Sequence, residues 1–347
     1  MSASLVADPR AWDAFVASTP LAPYLQVTPW AAVKAANGWR SERVVVEGSS
    51  GPVGAQVLLH PIGPGPWAVG YAPRGPVSLR LDEDGVRRWT EALRAMARRR
   101  RLSHVVIDPE LEAGGPETGW LLGCGWRTAA SPQPVRSRWI DLSQPEAALW
   151  GDLRSKWRQY VQKARRGGIS IVERDVTGLD AFYAIYVDTA RRARFPYRSA
   201  ATYRGVYEAF AEKGAARLLF ACDARGEPVA SLMLVGWGRR VVEPYGGMTA
   251  SGAESRANYL LKWEAIRTSR ERGFACYDMW GLSHAGIEQF KAGFGGRAVE
   301  YVGGFDLPVR PLVQRGVGVA QAVRVGIWER RLAREARSAR TADSDGP

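Results

Sequence analysis

Cysteine and histidine are both scarce in this chain, at three of each in 347 residues. Cys124, Cys222 and Cys276 are scattered, which excludes a disulfide framework and any zinc-finger spacing. Burial is the role expected of each. His60, His104 and His284 fall in no recognisable pattern, and there is neither a Gly-x-Ser-x-Gly elbow nor a cysteine–histidine signal. Covalent catalysis by a protein nucleophile therefore has little support. A Walker loop and a dinucleotide-binding fingerprint are also absent, and no acetyl-CoA loop of the Arg/Gln-x-x-Gly-x-Gly/Ala type precedes the helix expected from Ser255. This argues, weakly, against ordinary acetyl-CoA use. No run of about 18 apolar residues is present to span a membrane. The N-terminus lacks the charged and apolar parts of a signal peptide. The expectation is a cytoplasmic protein with no metal and no cofactor.

The composition is that of an ordinary soluble globular protein, 46% hydrophobic and 24% charged, and long enough for two domains. The net charge is +13. An anionic partner would explain it: nucleic acid, phosphates or an acidic membrane surface. So would the arginine-heavy composition of a GC-rich genome, and the residues leave that choice open. Three stretches concentrate the charge. Arg98–Arg101 ends a basic amphipathic helix. Residues 153–169 set Arg154, Lys156, Arg158, Lys163, Arg165 and Arg166 against an apolar stripe of Leu153, Trp157, Tyr160, Val161 and Ala164. Residues 189–199 interleave arginines with Phe195 and Tyr197, a pattern suited to phosphate and to stacked rings.

Taken in order, the chain repeats one α/β plan. Helices open at Asp8-Pro9 and at Thr28-Pro29, each with a capping residue before proline. Strand candidates at 43–47 and 53–60 form a hairpin, as do 216–222 and 228–236. Each half then has a strand bearing a tyrosine (Tyr71; Tyr245), a long helix (86–101; 255–272), a strand ending in aspartate (Asp108; Asp278) and a glycine corner (Gly125; Gly295-Gly296). Boundaries are expected at 1–143 and 144–308. A basic helix over 309–340 would pack back on the first domain, and 341–347 would be a disordered tail.

Several motifs carry a resemblance. Tyr277-Asp278 with Gly281, and Phe290-Lys291 with Gly293-Phe294-Gly295-Gly296, are similar to the closing signature of the FemABX family. So are Gln26, Trp30, Lys34 and Gly38; Tyr71 with Pro73-Arg74-Gly75-Pro76; Asp108-Pro109; and Thr189, Arg192, Phe195, Arg198 and Tyr203. The matches extend over most of residues 20–310.

The resemblance implies two tandem GNAT-like N-acyltransferase domains of α/β class, with mixed sheets flanked by helices. The coiled-coil arm of some members has no counterpart in the sequence. It implies transfer of glycine, alanine or serine from aminoacyl-tRNA to an amine of a peptidoglycan precursor, lipid II or UDP-linked muropeptide. An antibiotic acceptor, or acyl-CoA-dependent N-acyl transfer, is the alternative. Lys291 and Asp108 are the implied catalytic candidates. Lys34 with Arg192 is the preferred phosphate clamp, in a register that leaves other arginines open. Arg198, Tyr71, Tyr245 and Phe290 are further substrate-binding candidates. Peripheral contact with the anionic inner face of the cell membrane is a further expectation.

Overall fold

The computed structural model describes residues 2–63 and 65–316. Most of the basic helix expected over 309–340, and all of the tail at 341–347, lie outside the described residues; residues 311–316 are helical. The chain opens with α1 (Ser2–Ala7), α2 (Pro9–Ser18) and α3 (Thr28–Ala35), then the strands β1 (Arg40–Gly48), β2 (Gly51–Pro61), β3 (Ala68–Ala72) and β4 (Val77–Ser78). Next come α4 (Glu83–Arg99), β5 (Leu102–Ile107), α5 (Glu117–Gly123), β6 (Arg127–Ala129) and β7 (Arg136–Asp141). Asp8 caps α2 as expected, accepting the Arg10 N–H at 2.9 Å. Thr28 does not cap α3. It lies inside the helix and gives its N–H (2.8 Å) and its hydroxyl to Asp13, so a carboxylate on α2 ties the two helices together.

The second half runs through α6 (Glu146–Asp152), α7 (Ser155–Arg166), β8 (Ser170–Arg174), α8 (Leu179–Ala193), α9 (Ala200–Ala211) and β9 (Ala216–Cys222). It continues with β10 (Pro228–Trp237), β11 (Arg240–Met248), α10 (Ala250–Glu254), α11 (Ala257–Glu271), β12 (Cys276–Asp278), α12 (Ala285–Ala292), β13 (Arg297–Glu300) and β14 (Gly304–Pro308). Both units share one plan. A hairpin (β1–β2; β9–β10) leads to a strand that crosses through helix to a parallel neighbour, β3 to β5 through α4 and β11 to β12 through α10 and α11.

The sheets do not divide at 143 and 308. Their orders are β1-β2-β3-β5-β14-β6, with β4 on β2, and β13-β7-β12-β11-β10-β9-β8. Strand β7, expected to close the first unit, pairs instead with β12 and β13 of the second. Strand β14, expected to close the second, returns to lie between β5 and β6 of the first. Each sheet thus contains a strand from the other half, and the alternation within a short strand does not encode which sheet it joins.

Three apolar clusters result. One lies under the first sheet (Trp89, Leu93, Trp126, Phe305) and one under the second (Trp263, Ile266, Tyr277, Phe294). The third joins the units, setting Trp12, Tyr24, Trp30 and Val33 against Phe182, Tyr203, Phe210 and Val242. Beside it, four buried charges meet. Glu110 takes both of its oxygens to Arg240 Nη2 (2.9 and 2.8 Å) and lies 3.5 Å from Arg74 Nε, while Arg240 Nη1 is 3.9 Å from Asp278 Oδ2. Arg74, Glu110, Arg240 and Asp278 are 2%, 6%, 3% and 0% exposed. Two of the four belong to each unit, so this network exists only while the units are docked. Replacing one partner strands the others in low dielectric. Arg240→Ala is expected to cost about 3–5 kcal/mol, read as a lower urea midpoint, with Glu110→Ala in the same background adding far less than it does alone.

Candidate active site

The two parallel strand pairs differ in how far they stay together. β3 and β5 pair along their length, from Ala68↔Leu102 to Ala72↔Ile107. β11 and β12 pair only from Arg240↔Cys276 to Val242↔Asp278. Beyond that point β11 continues to Met248 while the other chain turns away through Met279, Trp280 and Gly281. Lys291 reaches into this fork from α12. Its Nζ donates to the carbonyls of Met279 (2.6 Å), Trp280 and Gly281 (2.9 Å). All three ammonium protons are thereby used. Three consecutive carbonyls converge on one cation because the turn is left-handed: Trp280 has φ 54° and Gly281 φ 23°. A bulky residue in that region is strained, and the lysine holds it there. Burial, and then Lys262 nearby, lower the Lys291 pKa to about 8, although Glu243 and Asp278 favour its charge.

From this turn an aromatic path crosses between the units. Trp280 lies against Tyr24 (ring centroids 5.9 Å apart), Tyr24 meets Trp30 edge-on (5.9 Å), and the Trp30 ring carries Lys34 Nζ at 5.0 Å. The Trp280 ring also covers the Arg74 guanidinium at 4.9 Å, with Tyr301 on that guanidinium at 4.8 Å. Lys34 has no carboxylate partner among the described residues. Its pKa is lowered by burial and then by the charge of Arg198. Two cations from different units are therefore near enough to repel, and among the described residues neither has a carboxylate partner. Such repulsion is a poor structural device and a good anion site.

The other expected residues divide. Arg192 is used locally: its Nε pairs with Asp188 at 3.1 Å and its Nη2 donates to the Met248 carbonyl. The cation that Lys34 feels is Arg198, six residues later. Tyr245 closes the same space, packed on Tyr203 (5.1 Å) and Tyr186 (6.0 Å), its pKa raised to about 12 by burial and by Tyr203. Asp108 is 0% exposed and accepts three bonds, from Arg74 N (2.8 Å), Gln133 N (3.0 Å) and Tyr71 Oη (2.7 Å). Its burial raises its pKa, but its oxygens are committed to holding the turn that carries Arg74. Tyr71 is bound into this network too, receiving Gln133 Nε2 at 3.1 Å. Phe290 packs away from the fork on Tyr259 (5.2 Å) and Phe294 (5.4 Å), a core contact of the second unit. Tyr24, Arg74 and Trp280 complete the site. Arg74 was visible only as part of a motif, and Tyr24 had no signal in the sequence.

Comparison with known proteins now bears on this arrangement. Residues 8–114 match the FemAB family, and residues 151–292 match an acetyltransferase (GNAT) domain. The crystal structure of FemX superposes with a TM-score of 0.79 at 20% identity, covering 88% of this chain and 97% of that one. Two lipid II:glycine glycyltransferases, from Staphylococcus saprophyticus and Staphylococcus aureus, are 26% and 25% identical over 60% and 59% of the chain. The chain thus resembles the FemAB family over its first unit and a GNAT acetyltransferase domain over its second. It spans about half the length of these curated relatives, 53% and 52%. The fold is similar to that of FemX, and the tandem α/β units, the two mixed sheets and the flanking helices are as the resemblance implied.

The lysine at the centre of the fork should report its surroundings by titration. In the unfolded chain Lys291 holds its proton to the ordinary lysine value near 10.5; in the folded protein it loses it near pH 8. Below pH 8 both states are protonated and the burial of charge costs stability. Between pH 8 and about 10.5 the unfolded state binds the extra proton, so this group's contribution to stability rises with pH. In Lys291→Met that rise is expected to vanish from urea midpoints measured across pH 7.5–10, relative to wild type.

Proposed function

We propose that this protein is an aminoacyltransferase that moves an amino acid from aminoacyl-tRNA to an amine of a peptidoglycan precursor, in the formation of an interpeptide bridge. The observation that supports this reading is the aromatic path from Lys34 through Trp30, Tyr24 and Trp280 to the lysine in the β11–β12 fork, with Arg198 of the other unit near enough to Lys34 to repel it. A precursor carrying phosphates, on a lipid or on a nucleotide, is the chemistry that such a pair would anchor. The names of the glycyltransferase relatives point the same way.

The donor ester is already activated, so the protein's task is placement and charge stabilisation. The acceptor amine attacks the ester carbonyl, forming the C–N bond. The C–O bond to the ribose breaks, and the proton lost by the amine ends on the released hydroxyl. Lys291 stands where it can exchange one of its three carbonyl partners for the oxyanion. Asp108 serves by fixing the Arg74 turn rather than as the base. Tyr245 and Tyr24 line the space between the clamp and the fork.

The assay is transfer of a labelled amino acid from charged tRNA to lipid-linked or nucleotide-linked muropeptide. Arg198→Ala and Lys34→Ala are each expected to raise the acceptor KM by about 10–100-fold, the worth of a charged hydrogen bond at about 1.5–3 kcal/mol. Arg192→Ala should leave it nearly unchanged. Lys291→Met should reduce kcat instead. Equal losses at Arg192 and Arg198 would remove the clamp as described, and RNase-resistant transfer would remove the tRNA donor.

A further inference from the structure

Most cations on the long helices of this protein are neutralised by neighbouring carboxylates. Arg87 and Arg88 on α4 bind Asp84, Arg204 on α9 binds Asp180, and Arg267 on α11 binds Glu264 and Glu271. Helix α7 is built differently. Between Leu153 and Ile169 the chain has six basic residues and no carboxylate. Arg165 pairs with Glu264, and Arg158 is spent on carbonyls at the end of α6, including that of Gly151 at 2.8 Å. Among the described residues, Lys156, Lys163 and Arg256, the last at the start of α11, have no carboxylate partner. The exposed Glu254 beside Arg256 makes no ion pair with any of them.

Two of these cations, Lys156 and Arg256, are held in order by an aromatic ring. Lys156 Nζ lies 5.8 Å and the Arg256 guanidinium 4.7 Å from the Tyr160 ring centroid. Tyr160 is itself fixed edge-on against Tyr259 at 4.8 Å. Lys156, Tyr160 and Lys163 recur at helical spacing on one face, so the two lysines stand ~10 Å apart along the axis. The stripe adjoins the fork. The Arg154 N–H at the head of α7 bonds the Gly293 carbonyl at 2.9 Å, and Trp157 Nε1 bonds that of Phe290 at 3.0 Å, both next to Lys291.

We propose that the exposed face of α7, with Arg256, is a docking surface for the phosphate backbone of the RNA body whose aminoacylated end enters the fork. This rests on the aminoacyl-tRNA reading above and adds where the rest of that donor lies. A row of unneutralised cations, two of them ordered on an aromatic ring, on a helix whose head is bonded to the segment that carries Lys291, is suited to successive phosphates. A bilayer is a poorer occupant. A helix lying in a membrane interface must bury its apolar face there, and that of α7 is already covered, with Val161 and Ala164 fully buried. The large apolar side chains exposed elsewhere, such as Leu79 and Leu122, have no counterpart on α7.

The experiment compares wild type with Lys156→Ala/Lys163→Ala and with the charge reversal Lys156→Glu/Lys163→Glu, all positions being exposed and the fold checked by thermal melting. Binding of labelled uncharged tRNA is followed by anisotropy over a range of salt. The alanine pair is expected to weaken binding about tenfold and to make the slope of log K against log salt shallower by about 1.5. Transfer from tRNA should lose a similar factor in kcat/KM. Transfer from a minimal donor, the aminoacylated 3′-terminal dinucleotide, should not change. Unchanged tRNA affinity and salt slope in both variants would overturn the docking surface. So would variants that lose binding to phosphatidylglycerol vesicles while keeping RNA binding. Failure of wild type to transfer from either donor would instead remove the functional reading, and the anisotropy would still decide the surface.

Discussion

Everything at the centre of this molecule depends on four charges buried where the two units meet. Glu110 is held by Arg240 from the other unit, with Arg74 and Asp278 completing the set. Buried ion pairs add little net stability over apolar packing, because desolvation consumes most of the attraction. What they do here is fix register. Arg240 is held charged: its burial opposes this, and the carboxylates of Glu110 and Asp278 more than reverse it. Arg74 lies between the Trp280 and Tyr301 rings, so the same residue that locks the units also sets the angle of Trp280. The left-handed turn at Trp280 presents its carbonyls to Lys291. Docking of the units and the shape of the fork are therefore one arrangement, with Arg74 as the shared part.

The exchange of β7 and β14 serves the same end. β7 brings Ser137 to Asp278, the hydroxyl donating to Oδ1, while the Trp280 N–H donates to that oxygen at 2.8 Å. One oxygen of Asp278 thus binds both the strand that crosses over and the turn above it, while the other faces Arg240 at 3.9 Å. Two units joined only by a linker would leave the fork free to shift with each relative motion. Two sheets that each contain a strand from the other half, with a common apolar cluster between them, restrict that motion by backbone hydrogen bonds as well as by packing.

Much of this was legible beforehand. Hairpins, crossover helices and the internal repeat follow from local signals such as β-branched runs, glycine stops and apolar spacing, and these are decided within a dozen residues. Lys291 stood out for the same reason, as a lone lysine among glycines before a corner. The partners of β7 and β14 could not be read, because they depend on contacts more than a hundred residues away. Asp108 and Phe290 were legible as important and not as what they do. An aspartate at the end of a buried strand looks the same whether it meets a ligand or three protein donors, and only the positions of Arg74, Tyr71 and Gln133 decide it. Which arginine stands near Lys34 could not be read for a related reason. In a segment rich in arginines, spacing cannot tell which one finds a local carboxylate; Arg192 finds Asp188 one helical turn back, and Arg198, past the end of α8, has none among the described residues.

That last distinction applies to the whole charge distribution. A net charge of +13 invites the conclusion that the entire surface attracts polyanions. The structure divides the cations into two populations. One is neutralised: Arg99 and Arg100 of the four-arginine run share Glu42, and Arg136 and Arg297 bind Glu288 and Glu112. Exposed pairs of this kind contribute little to stability, but they cancel the field at their own position. The other has no carboxylate partner among the described residues, and it includes Lys34 and Arg198 on one side of the fork and the α7 stripe on the other. Field strength near a site is set by such unpaired charges rather than by the total. The arginine-rich composition thus supplies balanced surface only where a carboxylate answers it, and the electrostatic character of the protein resides in the cations left without partners.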